Sequence, residues 1–474
     1  MKSFSVLTDR WIDIRENDGR LITASLLDAI LNSQNYMELV DESPLFEFGV
    51  FRLLQVFILD AIRPYSLDDI LDILEEGRFD EKRIQDYLDK CNEEGVSFDL
   101  FDEKRPFLQS NNWKDSDNYQ SIAKLDPFKA SGNNHVHIDH NFEENSEMTV
   151  PLAARALCAS YIFSTSGAQG YPSGPCGAPP IYSVVKGSNL FETLVYNLVP
   201  FVNYENADRP GSFWRNNIEI ESKKKVASTS LLYGMMFPCR KIKLASNSET
   251  DMVSKMLYAQ GMNYQGYDSY TDPNVSYMVS KNGRGNLKPD LNKEYWRNIN
   301  TLIGKYNGTA PAVISQYAEL SDSNIHVTTY EVVTSNAAYI HCNKNEFEVG
   351  SSILKDNIKN TFVSDMTQTV ETKASVLRKA IGSINLEHSG EFKSLQSKTV
   401  TDYYLKCKRY FHQYLSELND CNLEDLESLK ERWTSVITKE SLASFDDFGD
   451  KIANNARDIV EVQIAKGKLL RKEK

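Results

Sequence analysis

The chain has 474 residues, 41% hydrophobic, 25% charged and 11% aromatic, which supplies apolar surface for a core and length for roughly two to four domains. With 22 Phe, 24 Tyr, 23 Gly and 15 Pro, it fits neither the disordered nor the collagen-like or low-complexity classes. The net charge of −13 is unevenly spread: residues 1–120 carry 13 Lys/Arg against 26 Asp/Glu, residues 121–344 carry 20 against 19, and residues 345–474 carry 20 against 21. Such a chain does not coat nucleic acid by bulk charge, because nonspecific affinity comes from neutralising phosphates. Any contact of that kind is expected to be local, in the near-neutral middle.

From the N-terminus, FSVLTDRWIDIR reads as a strand, followed by a turn at Asp18 and Gly19 and a second strand at Leu21 to Thr23. Ser43 and Pro44 then open a helix, PLFEFGVFRLLQVFILDAI, whose apolar residues on nearly every side predict burial. Ser66 and Asp69 make a capping-box start for a helix over 67–76, and Asp80 starts another that ends near Cys91. The apolar run Phe4 to Leu7 is too short for a secretory leader. The longest uncharged stretch, 156–185, holds Gly167, Gly170, Pro172, Gly174, Pro175, Gly177, Pro179 and Pro180, which no membrane helix carries. A cytoplasmic protein with no membrane partner is expected. Seven cysteines without a CxxC pair fit a reduced compartment and argue against structural zinc.

The middle of the chain reads as an α+β body. Its clear pieces are a helix at Pro151 to Ile162, a strand at 181–187, and a following helix capped by Ser188 and Asn189 that carries Leu190, Leu194, Val195 and Leu198. After about residue 345 there is no proline, and apolar residues recur at helical spacing. One helix is expected to carry Ile353 to Ile381, a second Val400 to Leu418, a third, capped by Asn422, Leu426 to Ile437, and a fourth Phe445, Phe448, Ile452, Ala456, Ile459 and Val462. The fold class is therefore α+β, with a large mixed domain over 1–344 and an antiparallel four-helix bundle over 345–474.

Three constellations invite chemistry. His135, His137, Asp139 and His140 spell HxHxDH, the residue types that bind zinc and activate water in metal-dependent hydrolases, but the string sits in a polar loop and lacks nearby partner histidines. No P-loop, GxGxxG or GxSxG elbow occurs, so neither a cofactor nor catalysis is demanded. The uncharged loop 166–180, with Gly167, Ala168, Gln169 and Gly170, lets a backbone approach a ligand closely and offers N–H groups and an amide to a base edge or phosphate. Basic and aromatic residues follow it: Arg209, Phe213, Trp214, Arg215, Lys223 to Lys225, Arg240, Lys241 and Lys243. A hairpin-like tip then presents Lys281 and Arg284.

Taken in order, these pieces resemble the large subunit of type I-E CRISPR surveillance complexes, the CasA family of Cascade. LTDRWIDIR (7–15) is similar to that family's L-x-D-x-W-I-x-V-R, and RPFLQ (105–109) to its H-P-F-M-Q. The block 166–200 is similar to its glycine loop, strand, K/R-G dipeptide (Lys186, Gly187) and T-L-x-x-N-x-L helix (Thr193, Leu194, Asn197, Leu198). The resemblance implies a non-catalytic subunit that reads the protospacer-adjacent motif in double-stranded DNA, starts strand separation (the R-loop) and helps recruit a helicase-nuclease for antiviral defence. It implies guide RNA, target DNA and other Cascade subunits as partners. It places DNA contacts at Gly167, Ala168, Gln169 and Gly170 (glycine loop), at Lys281 with Arg284 or Lys288 as alternatives (lysine finger), and at Ser335 and Asn336 where the family has a glutamine-bearing wedge. A guide-RNA loop falls at Asn134, His135 and His137. A metal-dependent hydrolase using the HVHIDH string and a scaffold that never touches DNA remain the competing classes.

Overall fold

The computed structural model describes every residue except 1–2, 115, 128–145, 166–169, 208–210, 217–218, 246–249, 267–268, 282, 306, 336–337, 385–389 and 471–474. The chain packs as two units. The first is Met1–Pro289 with Ala310–Ser321 and His326–Phe347; the second is Asp290–Thr309, Asp322–Ile325 and Glu348–Lys474.

The first unit is built around the helix Pro44–Ile62, which is buried almost throughout, as its all-round apolar sequence predicts. It packs against the helix Val150–Ile162, whose N-terminus is capped by the Thr149 hydroxyl. Four polar residues go inside with the central helix, and each finds a partner far away in sequence, which offsets most of the cost, about 1–3 kcal/mol, of a buried polar group left without one. Arg52 Nε and Gln55 Oε1 nonetheless have no hydrogen-bond partner. Glu47 accepts from the Tyr330 hydroxyl at 2.5 Å and from Lys344 at 3.2 Å. Arg52 donates to Asp272 at 3.0 Å and Asn274 at 3.1 Å. Gln55 donates to the Asn197 carbonyl at 2.6 Å, and Asp60 accepts from Ser212 at 2.6 Å and Arg215 at 2.9 Å.

The expected N-terminal hairpin is present as Ile12–Glu16 against Leu21–Ala24. The sheet gains a third strand, Tyr36–Leu39, on the other side of the first, after a short helix Leu26–Leu31. Trp11 is fully buried and donates its indole N–H to the Val6 carbonyl at 2.9 Å. The Ser66 capping box is complete, with both reciprocal bonds to Asp69, and Gly77 ends that helix in the left-handed region at φ +67°. Asp80 caps the next helix, Glu81–Glu93.

The strand Tyr182–Lys186 and helix Leu190–Tyr196 show what the Lys-Gly and T-L-x-x-N-x-L pieces do locally. The Thr193 hydroxyl accepts from the Gly187 N–H at 3.0 Å, while the Asn197 amide holds Val185 by both its N–H (3.1 Å) and its carbonyl (2.7 Å). A Cβ on Gly187 would lie 2.2 Å from that of Glu192, so the tight return from strand to helix excludes a side chain there. The strand joins a sheet with Ile325–Ser335 and Ala338–Val349, antiparallel to the former in the register Thr328 opposite Val184.

The second unit carries four long helices, Asn357–Gly382, Gly390–Asp420, Leu426–Ile452 and Ala456–Leu470, which pack on one another. Phe362, Met366 and Val370 share their interior with Tyr403, Phe411, Trp433, Ile437 and Phe445. Two breaks differ from those read in the sequence. Ile353 and Leu354 belong to a short separate helix, Ser351–Lys355, because Asp356 turns to cap the next one through the N–H groups of Ile358 and Lys359. Phe445, Phe448 and Ile452 continue the third helix, and the chain breaks only afterwards. There the Asn454 N–H donates to the Asp458 carboxylate and the Asn455 side chain accepts from the Asp458 N–H, both at 3.0 Å. The apolar period runs on through this point, so the break is set by local side-chain capping, which periodicity does not report. Among the described residues no helix is long and apolar enough to cross a membrane.

Candidate nucleic-acid interface

One backbone stretch of the first unit, from Phe163 to Cys176, collects side chains from three separate elements. Positions 167–169 of the glycine loop lie outside the described residues, but both flanks are held by a single group. Arg240, only 4% exposed at the start of the strand Arg240–Leu244, donates to the Thr165 carbonyl at 2.7 Å and to the Pro172 carbonyl, as well as to the Cys239 carbonyl and the Tyr258 hydroxyl at 3.0 Å each. Its guanidinium also lies 5.0 Å from the centre of the Tyr171 ring, which packs 5.7 Å from that of Tyr258. Five donors in one rigid plane suit arginine, and not lysine, to such bridging. Gly170 takes φ +73°, a left-handed conformation that glycine reaches without strain, and a Cβ there would come 3.4 Å from the Gln260 amide.

The tip read at Lys281 is the turn of an antiparallel hairpin, Tyr277–Ser280 with Gly283–Asn286, in which Ser280 faces Gly283. Lys281 is exposed at that turn. Arg284 is not available in the same way: its guanidinium sits 3.7 Å from the Tyr277 ring centre and donates to the Tyr270 carbonyl at 3.2 Å and the Thr271 hydroxyl at 2.8 Å. Lys288 lies beyond the second strand, away from the turn. The hairpin is pinned to the same backbone stretch, since Asn286 donates to the Cys176 carbonyl at 2.7 Å and the Tyr277 hydroxyl lies 3.9 Å from the Cys176 sulfur. Burial raises the Cys176 thiol above its ordinary pKa, so it packs as a neutral group.

The third element is the hairpin formed by the ends of Ile325–Ser335 and Ala338–Val349. Ser335 is exposed at its tip, and Asn336 lies outside the described residues. Three residues on from Asn336, the Tyr339 hydroxyl donates to the Phe163 carbonyl at 2.6 Å. Burial pushes that phenol up to about 12, so it keeps its proton and its role as donor across the physiological range.

Asn134, His135 and His137, together with Asp139 and His140, lie within 128–145, outside the described residues. The chain on either side of that segment is fixed by strand pairing. Ser121, just before the turn Ile122–Leu125, pairs with Lys255, and Met148–Thr149 pairs with Met252–Val253. Among the described residues no group of three or more His, Cys, Asp or Glu is placed to hold a metal ion. Of the basic and aromatic residues between 213 and 243, read in sequence as supporting nucleic-acid contact, Lys223, Lys224 and Lys225 are exposed, while the aromatic residues and the arginines are taken up by the protein itself. Phe213 and Trp214 are buried, Arg215 bonds Asp60 and Glu94, and Lys241 lies 4.7 Å from the centre of the Trp113 ring. Sequence reading missed Arg240 as the bridging group, and also Tyr171, Tyr258 and Tyr339. An arginine preceded by an apolar run and followed by an alternating strand was the available signal, and it does not distinguish a buried arginine from an exposed one.

Comparison with known proteins shows the family. The family model described as CRISPR-associated protein Cse1 matches residues 6–443. The chain belongs to the Cse1 family of CRISPR-associated proteins. A CRISPR-associated protein CasA/Cse1 from Thermus thermophilus is 28% identical over 337 residues, 67% of this chain and 64% of that protein, so the match spans just under two thirds of the relative's length. In fold, this Cse1-family chain is similar to the structure of Thermus thermophilus CasA (Cse1), at TM-score 0.79 and 19% identity over 99% of both chains. It is equally similar to a chain of a CRISPR RNA-guided surveillance complex, at TM-score 0.79 and 16% identity over 99% of this chain and 100% of that one.

Proposed function

We propose that this Cse1-family chain is the large subunit of a CRISPR RNA-guided surveillance complex of the Cascade type, and that it reads the protospacer-adjacent motif in double-stranded DNA and starts strand separation without chemistry of its own. The observation that carries the reading is the convergence on residues 163–176: Arg240 holds the flanks of the glycine loop, Tyr277 and Asn286 hold the Lys281 hairpin, and Tyr339 holds the hairpin of Ser335 and Asn336. Segments that must address one short stretch of duplex need a common frame, and this stretch is that frame.

The division of labour follows from the chemistry. The minor groove shows mainly acceptors plus the guanine amino group, so a lysine and the backbone and amide groups of Gly167, Ala168, Gln169 and Gly170 read it permissively. Detailed sequence recognition is left to pairing with the guide RNA, whose end is held by Asn134, His135 and His137. With only local cation contacts, the isolated chain binds DNA weakly and works as part of the complex, alongside the other subunits and the helicase-nuclease it helps recruit.

The test is target binding by the reconstituted guide complex on duplexes with and without the flanking motif, using wild-type chain, Lys281→Ala, and complex assembled without the chain. Omission is expected to abolish motif-dependent binding, and Lys281→Ala to weaken it by about tenfold or more, the scale of one well-placed contact, with assembly intact. Binding that never depends on the chain would return the protein to a scaffold. Metal-dependent hydrolysis of nucleic acid lost on His135→Ala would return it to the hydrolase class.

A further inference from the structure

Of the exposed large hydrophobic side chains among the described residues, Val279 is the most open, at 87%, and it stands two residues from Lys281; its neighbour Met278 is 39% exposed. We propose that the hairpin Tyr277–Ser280 and Gly283–Asn286 is a composite DNA wedge, in which Lys281 meets the groove while Val279 lies against the base step next to the motif and holds it unstacked. This rests on the DNA-reading function above and assigns a strand-opening role to a residue outside the glycine loop, the lysine and the Ser335 hairpin.

The register gives the hairpin two different faces. Cross-strand partners share a face in an antiparallel pair, so Tyr277, Val279, Arg284 and Asn286 lie on one side, with Val279 directly opposite Arg284. The Arg284 guanidinium is drawn back onto the Tyr277 ring and the Tyr270 carbonyl, which leaves Val279 uncovered at the tip. On the other side Met278 faces Gly285, and the remaining cross-strand position is Gly283. Gly283 uses its freedom, at φ +105°. Gly285 does not: its φ is not in the left-handed region, and a Cβ there would meet nothing within 4 Å. Neither backbone conformation nor packing within the chain calls for glycine at 285, and a strand glycine of that kind suits the close approach of another molecule's backbone.

Charge at the tip suits an anionic occupant. Residues 273–289 carry Lys281, Arg284 and Lys288 and not one Asp or Glu, in a chain with 66 acidic residues. A slender hairpin with an exposed cation, Lys281, at its turn, an open apolar tip and no carboxylate fits an anionic duplex into which an apolar side chain inserts, the arrangement by which minor-groove proteins unstack a step.

The experiment uses the assembled guide complex and two motif-bearing targets, one fully paired and one mismatched at the base pairs next to the motif, with opening followed by a fluorescent adenine analogue. Val279→Ser is expected to slow opening of the paired target about tenfold, the scale of part of one unstacking cost, while leaving the pre-opened target at the wild-type rate. Val279→Leu, which keeps an apolar group, retains fast opening on both. Lys281→Ala weakens motif-dependent binding to both targets. Wild-type opening by Val279→Ser beside a defective Lys281→Ala would overturn the wedge and leave the DNA-reading function standing. Indifference to both substitutions would overturn both, and failure of Val279→Ser to assemble into the complex would make the tip a protein contact and overturn the wedge.

Discussion

Replacing Asp272 with alanine is expected to destabilise the first unit by about 3–5 kcal/mol, the range for removing one partner of a buried ion pair. Arg52 is fully buried in the central helix and reaches the Asp272 carboxylate at 3.0 Å, with side-chain exposures of 0% and 4%. Without it the guanidinium keeps its charge in an interior that cannot solvate it, although the Phe48 and Tyr182 rings, 5.1 and 5.4 Å away, soften the loss. The damage reaches the candidate interface. Asp272 also accepts from the Asn274 N–H at 3.0 Å, its own N–H donates to the Tyr277 hydroxyl at 2.9 Å, and Asn274 carries the network on to the Ser183 carbonyl at 2.8 Å. Denaturant unfolding of the full chain measures the loss. The double replacement Arg52→Met with Asp272→Leu, which removes both charges, is expected to recover most of it. A single replacement that cost less than about 1 kcal/mol would mean that water reaches the pair.

Arg240→Ala is the second large effect. It strips donors from the Thr165, Pro172 and Cys239 carbonyls and from the Tyr258 hydroxyl at once, and is expected to cost about 3 kcal/mol, since hydrogen bonds to a charged group are the strong ones. Arg240→Lys recovers little, because an ammonium cannot reach the same spread of acceptors from one position. The readout that separates positioning from general stability is the ratio of binding to duplexes with and without the motif, measured well below the melting temperature. It is expected to collapse toward unity for Arg240→Lys while assembly into the guide complex persists. An unchanged ratio would mean that the loop flanks do not depend on this arginine.

What the sequence made legible was mostly local. The central helix, the capping box at Ser66 and Asp69, the strand and helix around Gly187, and the Lys281 turn all follow from neighbours a few residues apart, where capping and periodicity act. The partners of Glu47, Arg52 and Gln55 lie 142 to 297 residues further on, at Asn197, Asp272, Asn274, Tyr330 and Lys344, and no local pattern encodes such pairings. The segments that gave the family resemblance prove to be largely scaffold. Trp11 is core, Gln109 bonds the Leu100 carbonyl and the Leu244 N–H, and Thr193 and Asn197 tie a helix to a strand. Motifs of that kind identify a family through its fold. In the same way Arg240 reads in sequence as one more cation near a nucleic acid, and only its burial shows that it serves the loop flanks and not a phosphate.

The claim that three segments on one backbone frame address a single stretch of duplex is tested most directly by a photo-crosslinking residue placed at position 280, next to an intact Lys281, and separately at 335, in the assembled guide complex on labelled target DNA. Crosslinks from both positions to base pairs at the flanking motif, present with the motif and absent without it, are the predicted result. Crosslinks that go only to protein subunits, or that ignore the motif, would contradict the account.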